Sequence, residues 1–197
     1  MTTAQRGAGD LARQLSADLA SHFEPLLVAY QDRLYSFALR LSGNPQDAEE
    51  IAQDAFVRAY RALRTYPVER IAALALRPWL YRITLNVYRN RARRKRLALV
   101  AVDAAPEDEG AAELADAAQE PPEDAAVRSE QRTLLAAALA ALPERHRVAV
   151  TLRFVEGLSY AEIASTLAQP VGTAKATGHR GIGRLWERMG GDGGGGG

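Results

Sequence analysis

The sequence predicts an all-α protein made of two small helical domains joined by a flexible acidic linker. Every periodic apolar pattern has the helical spacing of three and four residues, and strand signals are absent. The block from Arg77 to Arg96 is basic and has no acidic residue, whereas the block from Leu97 to Val127 is acidic and has no lysine or arginine. Because Pro106, Pro121 and Pro122 break the acidic block, it is typical of a tether between domains.

Composition restricts the class of protein. Of the 197 residues 47% are hydrophobic, and 25 Lys and Arg nearly balance 24 Asp and Glu, as in globular proteins. The absence of cysteine excludes disulfides and thiolate chemistry. Since the sequence shows neither a signal peptide nor a membrane-spanning apolar run, we expect a cytoplasmic protein.

The composition shifts divide the chain into five parts. We predict a disordered N-terminal extension (1–20), a first helical domain (21–96), the acidic linker (97–127), a second helical domain (128–188) and a disordered glycine-rich tail (189–197).

Two helices open the first domain. The first has an apolar stripe beginning at Leu26 and ends at Ser42-Gly43. The second starts with Asn44 as N-cap and Pro45 as its first residue, and its apolar face runs to Leu63. Its opposite face carries acids early and arginines late, which complements the helix dipole. That face is either a solvated surface or a docking surface.

A third helix is predicted from Pro78 to Arg96. Its arginines can neutralise phosphates without sequence preference. The aromatic residues Trp79, Tyr81 and Tyr88 lie among these cations, so they either stack on unpaired bases or belong to the core.

The second domain has the pattern of a helix-turn-helix. Helices are predicted over 128–142 and 143–154, followed by a capping box between Ser159 and Glu162 and a break before Pro170. The second member of such a pair normally enters the major groove of DNA. We predict an inward line of Val171, Ala174, Gly178, Ile182 and Leu185, which leaves Thr173, Lys175, Thr177, His179, Arg180 and Arg184 facing outward.

No catalytic constellation is evident. His22, His146 and His179 are scattered over different helices without cysteines or paired acids, so we expect no metal site and no cofactor. Neither a phosphate-binding glycine loop nor a nucleophile with its base appears, and we predict that the protein is not an enzyme.

Three segments together resemble a known family. These are EEIAQDAFVRAYRALRTYP, RPWLYRITLNVYRNRARR and LPERHRVAVTLRFVEGLSYAEIASTLAQPVGTAKATGHRGIGRL. In this order they resemble the bacterial RNA polymerase sigma factors of the extracytoplasmic function (ECF) subfamily, over about residues 25–188. The resemblance implies a region 2-like bundle and a region 4-like helix-turn-helix.

The resemblance also implies binding roles. The helix 47–63 would dock on core RNA polymerase through Asp47, Glu50, Ile51, Asp54, Phe56, Arg58 and Arg61. The minus 10 promoter element would be opened and read by Tyr66, Arg77, Trp79, Arg82, Asn86, Arg89 and Arg93. The minus 35 element would be read as duplex by Ser159, Tyr160, Thr173, Lys175, Thr177, His179, Arg180 and Arg184.

The sequence departs from the family pattern in two places. The loop before Trp79 reads YPVERIAALALRP, where polar and small residues are usual. The last helix contains Gly178, Gly181 and Gly183, and Gly178 stands where the family has a buried leucine. Because glycine weakens a helix interior, we predict that this helix frays after His179. If the glycines make the protein a decayed sigma factor that reads the minus 35 element poorly, restoring Gly178→Leu and Thr177→Arg should raise promoter-dependent transcription.

The predicted partners are core polymerase, promoter DNA and an anti-sigma factor, with a monomeric free protein. Two other hypotheses remain open. A stand-alone helix-turn-helix regulator would bind a palindromic site as a dimer. A decayed sigma factor would act mainly as an interaction protein.

Overall fold

The computed structural model describes residues 3–102 and 133–189, and of residues 3–8 and 99–102 only the backbone. The described part is helical and contains no strand. The helices are α1 (Thr3–Ala17), α2 (Leu19–Ser42), α3 (Pro45–Leu63), α4 (Val68–Ala72), α5 (Leu76–Val102), α6 (133–140), α7 (Glu144–Val150), α8 (Tyr160–Leu167) and α9 (Val171–Arg188). A single π-helical turn, Thr151–Val155, continues α7.

The prediction of a disordered N-terminal extension (1–20) is wrong for the described residues of that segment, since Thr3–Ala17 form helix α1. Helix α1 packs against α2 and α4, and its Ala12 and Leu15 side chains are buried. Asp18 caps the next helix by accepting a hydrogen bond from the N–H of Ser21. The sparse apolar residues of this segment are enough because they pack on the surface formed by α2 and α4.

The predicted start and stop signals between α2 and α3 are confirmed. Gly43 adopts a φ of 70°, and its N–H donates to the carbonyl of Leu39 at 2.8 Å. A left-handed residue at this point suits glycine, which has no Cβ to clash. The side chain of Asn44 then accepts a hydrogen bond from the N–H of Asp47, and Pro45 occupies the first turn.

Helix α5 is longer than predicted at both ends. It begins at Leu76 and continues through Val102, so the first residues of the predicted linker are helical. The five-residue helix α4 lies within the segment predicted as a loop. Residues 103–132 include the rest of the predicted linker and lie outside the described residues, as do residues 190–197 of the predicted tail.

The helix-turn-helix of α8 and α9 is present where the sequence predicts it. Ser159 caps α8 with the reciprocal capping box to Glu162, and Ala168 ends the helix with a φ of 51°. In the turn before α8, Val155 is 41% exposed although it follows the apolar face of α7. The extra residue in the π-helical turn shifts the side chains that follow it.

The predicted fraying of α9 is wrong for the backbone, since the helix continues to Arg188. Its second half is anchored by Leu185, which packs in a small cluster with Leu139, Leu142 and Val150. Gly181 permits this approach, because a Cβ there would lie 2.6 Å from a methyl group of Val150. The glycine that costs helix propensity therefore also allows close packing.

The two helical units share one hydrophobic core. Buried residues of the C-terminal unit, among them Leu152, Leu158 and Ile163, belong to the same cluster as Phe37 and Tyr81 of the N-terminal unit. Helix α8 packs against α5, and α7 touches α2. The structure is thus a closed arrangement in which the region 4-like unit lies on the region 2-like bundle.

Candidate nucleic-acid interface

The outer face of α9 exposes cationic and polar side chains. Thr173, Lys175, His179, Arg180 and Arg184 are all exposed, as predicted. Two details of the predicted helix phase are wrong: Thr177 is buried at 8% exposure, and Val171 is 50% exposed. The buried face instead runs through Ala174, Thr177, Gly178, Gly181 and Leu185.

Buried His146 fixes this helix phase. Its Nδ1 lies 3.2 Å from the carbonyl oxygen of Thr177, and because that oxygen only accepts, Nδ1 carries the proton and donates. Its Nε2 accepts a hydrogen bond from Nε of Arg145 at 3.3 Å. The contact joins α7 to the middle of α9, so Thr177 is turned away from any DNA in contact with the outer face.

Tyr160 occupies the space that a side chain at position 178 would need. A Cβ on Gly178 would lie 3.1 Å from Cε1 of Tyr160. The Tyr160 ring also stacks on the His179 ring at a centroid distance of 6.0 Å, and the guanidinium of Arg153 lies over its face. The expected gain from Gly178→Leu and Thr177→Arg stays a prediction, but the packing opposes it: leucine requires the Tyr160 ring to move, and arginine places a charge at a buried position.

Ser159 is exposed, but its hydroxyl is engaged locally. It accepts from the N–H of Glu162 and donates to the carboxylate of the same residue at 2.8 Å. Its main role in this structure is to begin α8.

The predicted minus 10 residues other than Tyr66 fall into three groups. Arg82, Asn86 and Arg93 are exposed along α5. Trp79 is 5% exposed and belongs to the core, which favours a packing role for this residue over stacking on unpaired bases. Arg77 and Arg89 contact the C-terminal unit, through the carbonyl of Glu156 and the carboxylate of Glu144 respectively.

An aromatic-cation cluster beside α4 was not predicted as a unit. Tyr66 is half-buried, with its ring 6.2 Å from that of Trp79 and the Arg70 guanidinium 3.6 Å above its face. The closeness of Tyr66 and Arg70 within YPVER could have indicated this contact, since an arginine and an aromatic ring near each other can form a cation–π pair.

The acids at the start of α3 bind the basic end of α5. Asp47 accepts from Nε of Arg91 at 2.9 Å and from Nζ of Lys95 at 2.6 Å, and Glu50 pairs with Arg91. Burial alone would raise the pKa of Asp47, but the hydrogen bonds from Lys95 and Arg91 outweigh it and hold that pKa below its ordinary value. Asp47 and Glu50 thus hold two helices together rather than standing free for a partner.

The remaining docking candidates on α3 also separate by exposure. Ile51 and Phe56 are 1% and 7% exposed, so they stabilise the bundle and offer little surface. Asp54, Arg58 and Arg61 are exposed. These three charged side chains remain accessible to a partner on this helix.

An apolar groove lies between α2 and α3 and was not predicted from the sequence. It encloses about 630 Å³ and is lined mainly by Phe23, Leu27, Tyr35, Phe56, Val57 and Tyr60. The sequence signal for this groove is the apolar face of α3, which is wider than packing against one core requires. Val57, next to Phe56, widens that face and remains 45% exposed. The groove adjoins exposed Arg61.

Within residues 3–102 and 133–189, no cluster of three His, Asp or Glu side chains could hold a metal ion. In the same part of the chain, no helix is long and apolar enough to cross a bilayer.

Comparison with known families supports the division into two units. Residues 26–97 match Sigma-70 region 2, and residues 132–185 match Sigma-70, region 4. The first match covers α2 to α5, and the second covers the helix-turn-helix. The fold and the site thus define a transcription initiation factor of the sigma-70 class.

Individual relatives identify the subfamily. The chain is 32% identical over 161 residues to the ECF sigma factor SigW of Bacillus subtilis, covering 81% of this chain and 84% of that protein. It is 37% identical over 158 residues to the sigma-H factor of Pseudomonas aeruginosa, covering 78% and 79%. It is also 37% identical over 159 residues to SigE of Mycolicibacterium smegmatis, but spans only 58% of that longer protein. The chain belongs to the ECF RNA polymerase sigma factors.

Solved structures show the same fold. The sigma factor RpoE, bound to the anti-sigma factor NepR from Bartonella quintana, superposes with a TM-score of 0.66 at 22% identity over 86% of this chain and 98% of that one. CnrH, bound to the cytosolic domain of CnrY, gives 0.65 at 21% identity over 94% and 98%.

Proposed function

We propose that this protein binds core RNA polymerase and directs initiation at promoters by recognising a minus 10 and a minus 35 element. The observation that carries the proposal is the match to Sigma-70 regions 2 and 4 in that order, with an exposed cationic face on the recognition helix of the second region. It acts in the cytoplasm and has no catalytic step of its own.

The minus 35 element is read as duplex by the outer face of α9. Lys175, Arg180 and Arg184 supply phosphate contacts, while Thr173 and His179 lie on the same exposed face and can reach base edges. The Tyr160 ring stacks on the His179 ring. Thr177 and Ser159 serve the helix-turn-helix geometry instead of binding DNA.

The minus 10 element is bound by α5 and the segment before it. Arg82, Asn86 and Arg93 present donors along one exposed side of the helix. The half-buried ring of Tyr66, beside Trp79 at the start of that helix, offers an aromatic surface. Cations and aromatic surfaces together can offset the few kcal/mol needed to unstack a base.

Core polymerase docks on α3. Asp54, Arg58 and Arg61 remain exposed there, and the apolar groove beside Arg61 extends the surface toward α2. Mixed charges around an apolar centre are usual for protein interfaces. Asp47 and Glu50 contribute by holding α3 against α5.

An anti-sigma factor is a further partner in this proposal. One of the superposed structures, the sigma factor RpoE, was solved with the anti-sigma factor NepR bound. The free protein is proposed to be a monomer, which separates this function from that of a dimeric repressor on a palindromic site.

Run-off transcription from a promoter library, with core polymerase and with or without this protein, tests the function. Specific transcripts should depend on the protein. Tight, polymerase-independent binding to a palindrome would instead support the stand-alone regulator.

A charge reversal tests the docking surface. Arg58→Glu should weaken polymerase binding by about tenfold, because it places an acid where a cation meets the partner. The matched control is Arg13→Glu on α1, which is 69% exposed and far from α3 in sequence. Equal loss for both variants would count against α3 as the docking helix.

A further inference from the structure

Three arginines from three different helices line one small cavity. The cavity has a volume of about 270 Å³, and its cations are Arg89 of α5, Arg145 of α7 and Arg180 of α9. The rest of the lining consists of Val148, Leu167, Gln169, Thr173 and Thr177. None of these described lining residues is acidic. Because like charges held close together repel each other, the cavity is complementary to an anion.

Two of the three guanidinium charges are not neutralised. Arg89 forms an ion pair with Glu144 at 2.8 Å. Within residues 3–102 and 133–189, no acidic side chain pairs with Arg145 or Arg180. Arg145 donates from Nε to the neutral ring of His146, which leaves its charge uncompensated. Two uncompensated cations match the charge of one phosphate group, about −1.5 to −2 near neutral pH.

The first turn of α9 adds backbone donors to the same cavity. Thr173 belongs to this turn, where the N–H groups have no acceptor inside the helix. Pro170 precedes the helix and provides no side-chain cap. An uncapped helix start attracts anions through its free N–H groups and its dipole. The helix start alone would not define a site, but here it adjoins the three arginines.

Gln169 contributes an unused donor. Its Nε2 is buried and has no hydrogen-bond partner among the described residues. A buried donor without a partner is unfavourable, and in native proteins it calls for an explanation. Turning this amide toward a bound anion would break no side-chain hydrogen bond that it makes within the described residues.

A second basic cavity lacks these features. It has a volume of about 320 Å³ and lies between α3 and α5, with a lining that includes Asp54, Arg58, Arg91, Arg94 and Lys95. Arg91 and Lys95 are already paired with Asp47. Because acids already balance part of its charge, this cavity is a weaker match for an anion, and Arg94 offers a matched control.

We propose that the cavity lined by Arg89, Arg145 and Arg180 binds one phosphate group of a small molecule, either free phosphate or the end phosphate of a nucleotide. Its volume lies just below the range of about 300–1,000 Å³ that is usual for whole drug-sized ligands, so a nucleoside would remain outside. Guanidinium groups suit this ligand because each can donate two parallel hydrogen bonds to phosphate oxygens.

A bound phosphate would engage one arginine from each proposed promoter surface. Arg89 lies on α5 and Arg180 on α9, so phosphate and promoter DNA should compete for the protein. This consequence rests on the proposed function. Phosphate binding by the free chain does not, and it is therefore tested without polymerase or DNA.

Calorimetric titration of the free, full-length protein with inorganic phosphate tests the site. Ionic strength is held constant so that charge screening does not change. Wild type should bind one phosphate per chain, with a Kd on the order of 1 mM. Arg145→Ala should weaken binding about tenfold, because it removes charge-assisted hydrogen bonds. Arg94→Ala should bind like wild type.

Gln169→Leu separates a ligand contact from a structural role. In phosphate-free buffer this variant should be at least as stable to heat as wild type, because the donor that it removes has no partner. It should nevertheless weaken phosphate binding by about threefold. Lower stability in phosphate-free buffer, with unchanged phosphate affinity, would show a structural role and contradict the assignment of Gln169.

A nucleoside triphosphate, titrated in the same way, distinguishes the sources of the phosphate group. Tighter binding than that of inorganic phosphate, lost in Arg145→Ala, would identify a nucleotide, and weaker or equal binding would identify the free ion. The proposal is overturned if neither compound binds saturably. An equal loss of affinity in Arg94→Ala and Arg145→Ala would also overturn it, because it would show general charge attraction in place of a site.

Discussion

Helices α5 and α9 are both basic in sequence but present their cations differently. On α9 the cationic face is open, and the helix is held from behind by close approach at Gly181 and by Leu185. On α5 the aromatic residues Trp79 and Tyr81 are core, and part of the cationic face is covered by the other unit. Basic composition therefore indicates affinity for nucleic acid, whereas packing decides which helix can use it.

The largest effect should come from filling the close approach behind α9. Gly181→Leu should lower the free energy of unfolding by about 3 kcal/mol, since even a Cβ would meet Val150 at 2.6 Å and the carbonyl of His146 at 3.2 Å. Chemical denaturation of the variant and the wild type measures this difference in the free energy of unfolding. Unchanged stability would mean that glycine is not required here.

The open face of α9 can be tested through its salt dependence. Lys175→Ala should weaken promoter binding by the holoenzyme about fivefold and reduce the slope of log affinity against log salt by about 1. Arg188→Ala, also exposed but at the end of α9, is the control. A loss without a change of slope would argue against a phosphate contact.

The attachment of α5 to α3 should depend on pH. Asp47→Asn should cost about 1–2 kcal/mol of stability near neutral pH, because Lys95 and Arg91 lose a charged partner. The pKa of Asp47 is lower in the folded state, so its contribution is present above the ordinary value of 3.8 and is lost as pH falls through the folded value. Denaturation curves of variant and wild type should converge in acid; a constant difference would contradict the ion pair.

The smallest effect is a gain. Gly183→Ala should stabilise the protein by about 0.5–1 kcal/mol, because nothing lies within 4 Å of a Cβ there and alanine favours helix. In thermal unfolding, Gly183→Ala should raise the melting temperature and Gly181→Leu should lower it, although both positions lie in α9. A loss for Gly183→Ala would mean that its surroundings are tighter than described.

Local signals in the sequence predicted the helix ends well. Gly43, Asn44 and the capping box of Ser159 each act within three or four residues, so their effect can be read without knowing the fold. The helix-turn-helix and the exposed cations of α9 followed from the same short-range patterns.

Long-range packing could not be predicted in this way. The buried face of α9 includes Thr177 and Gly181, which do not count as apolar, so the sequence suggested a helix phase that began at Val171. The burial of Glu156 depends on Tyr81, 75 positions away in the chain. The sequence around either residue does not indicate that the two are in contact.

Footprinting of one promoter with and without core polymerase tests the central claim most directly. The two-unit account predicts protection of both the minus 10 and the minus 35 regions with polymerase, and no protection of the minus 10 region by the protein alone. Full protection of both regions without polymerase would contradict it.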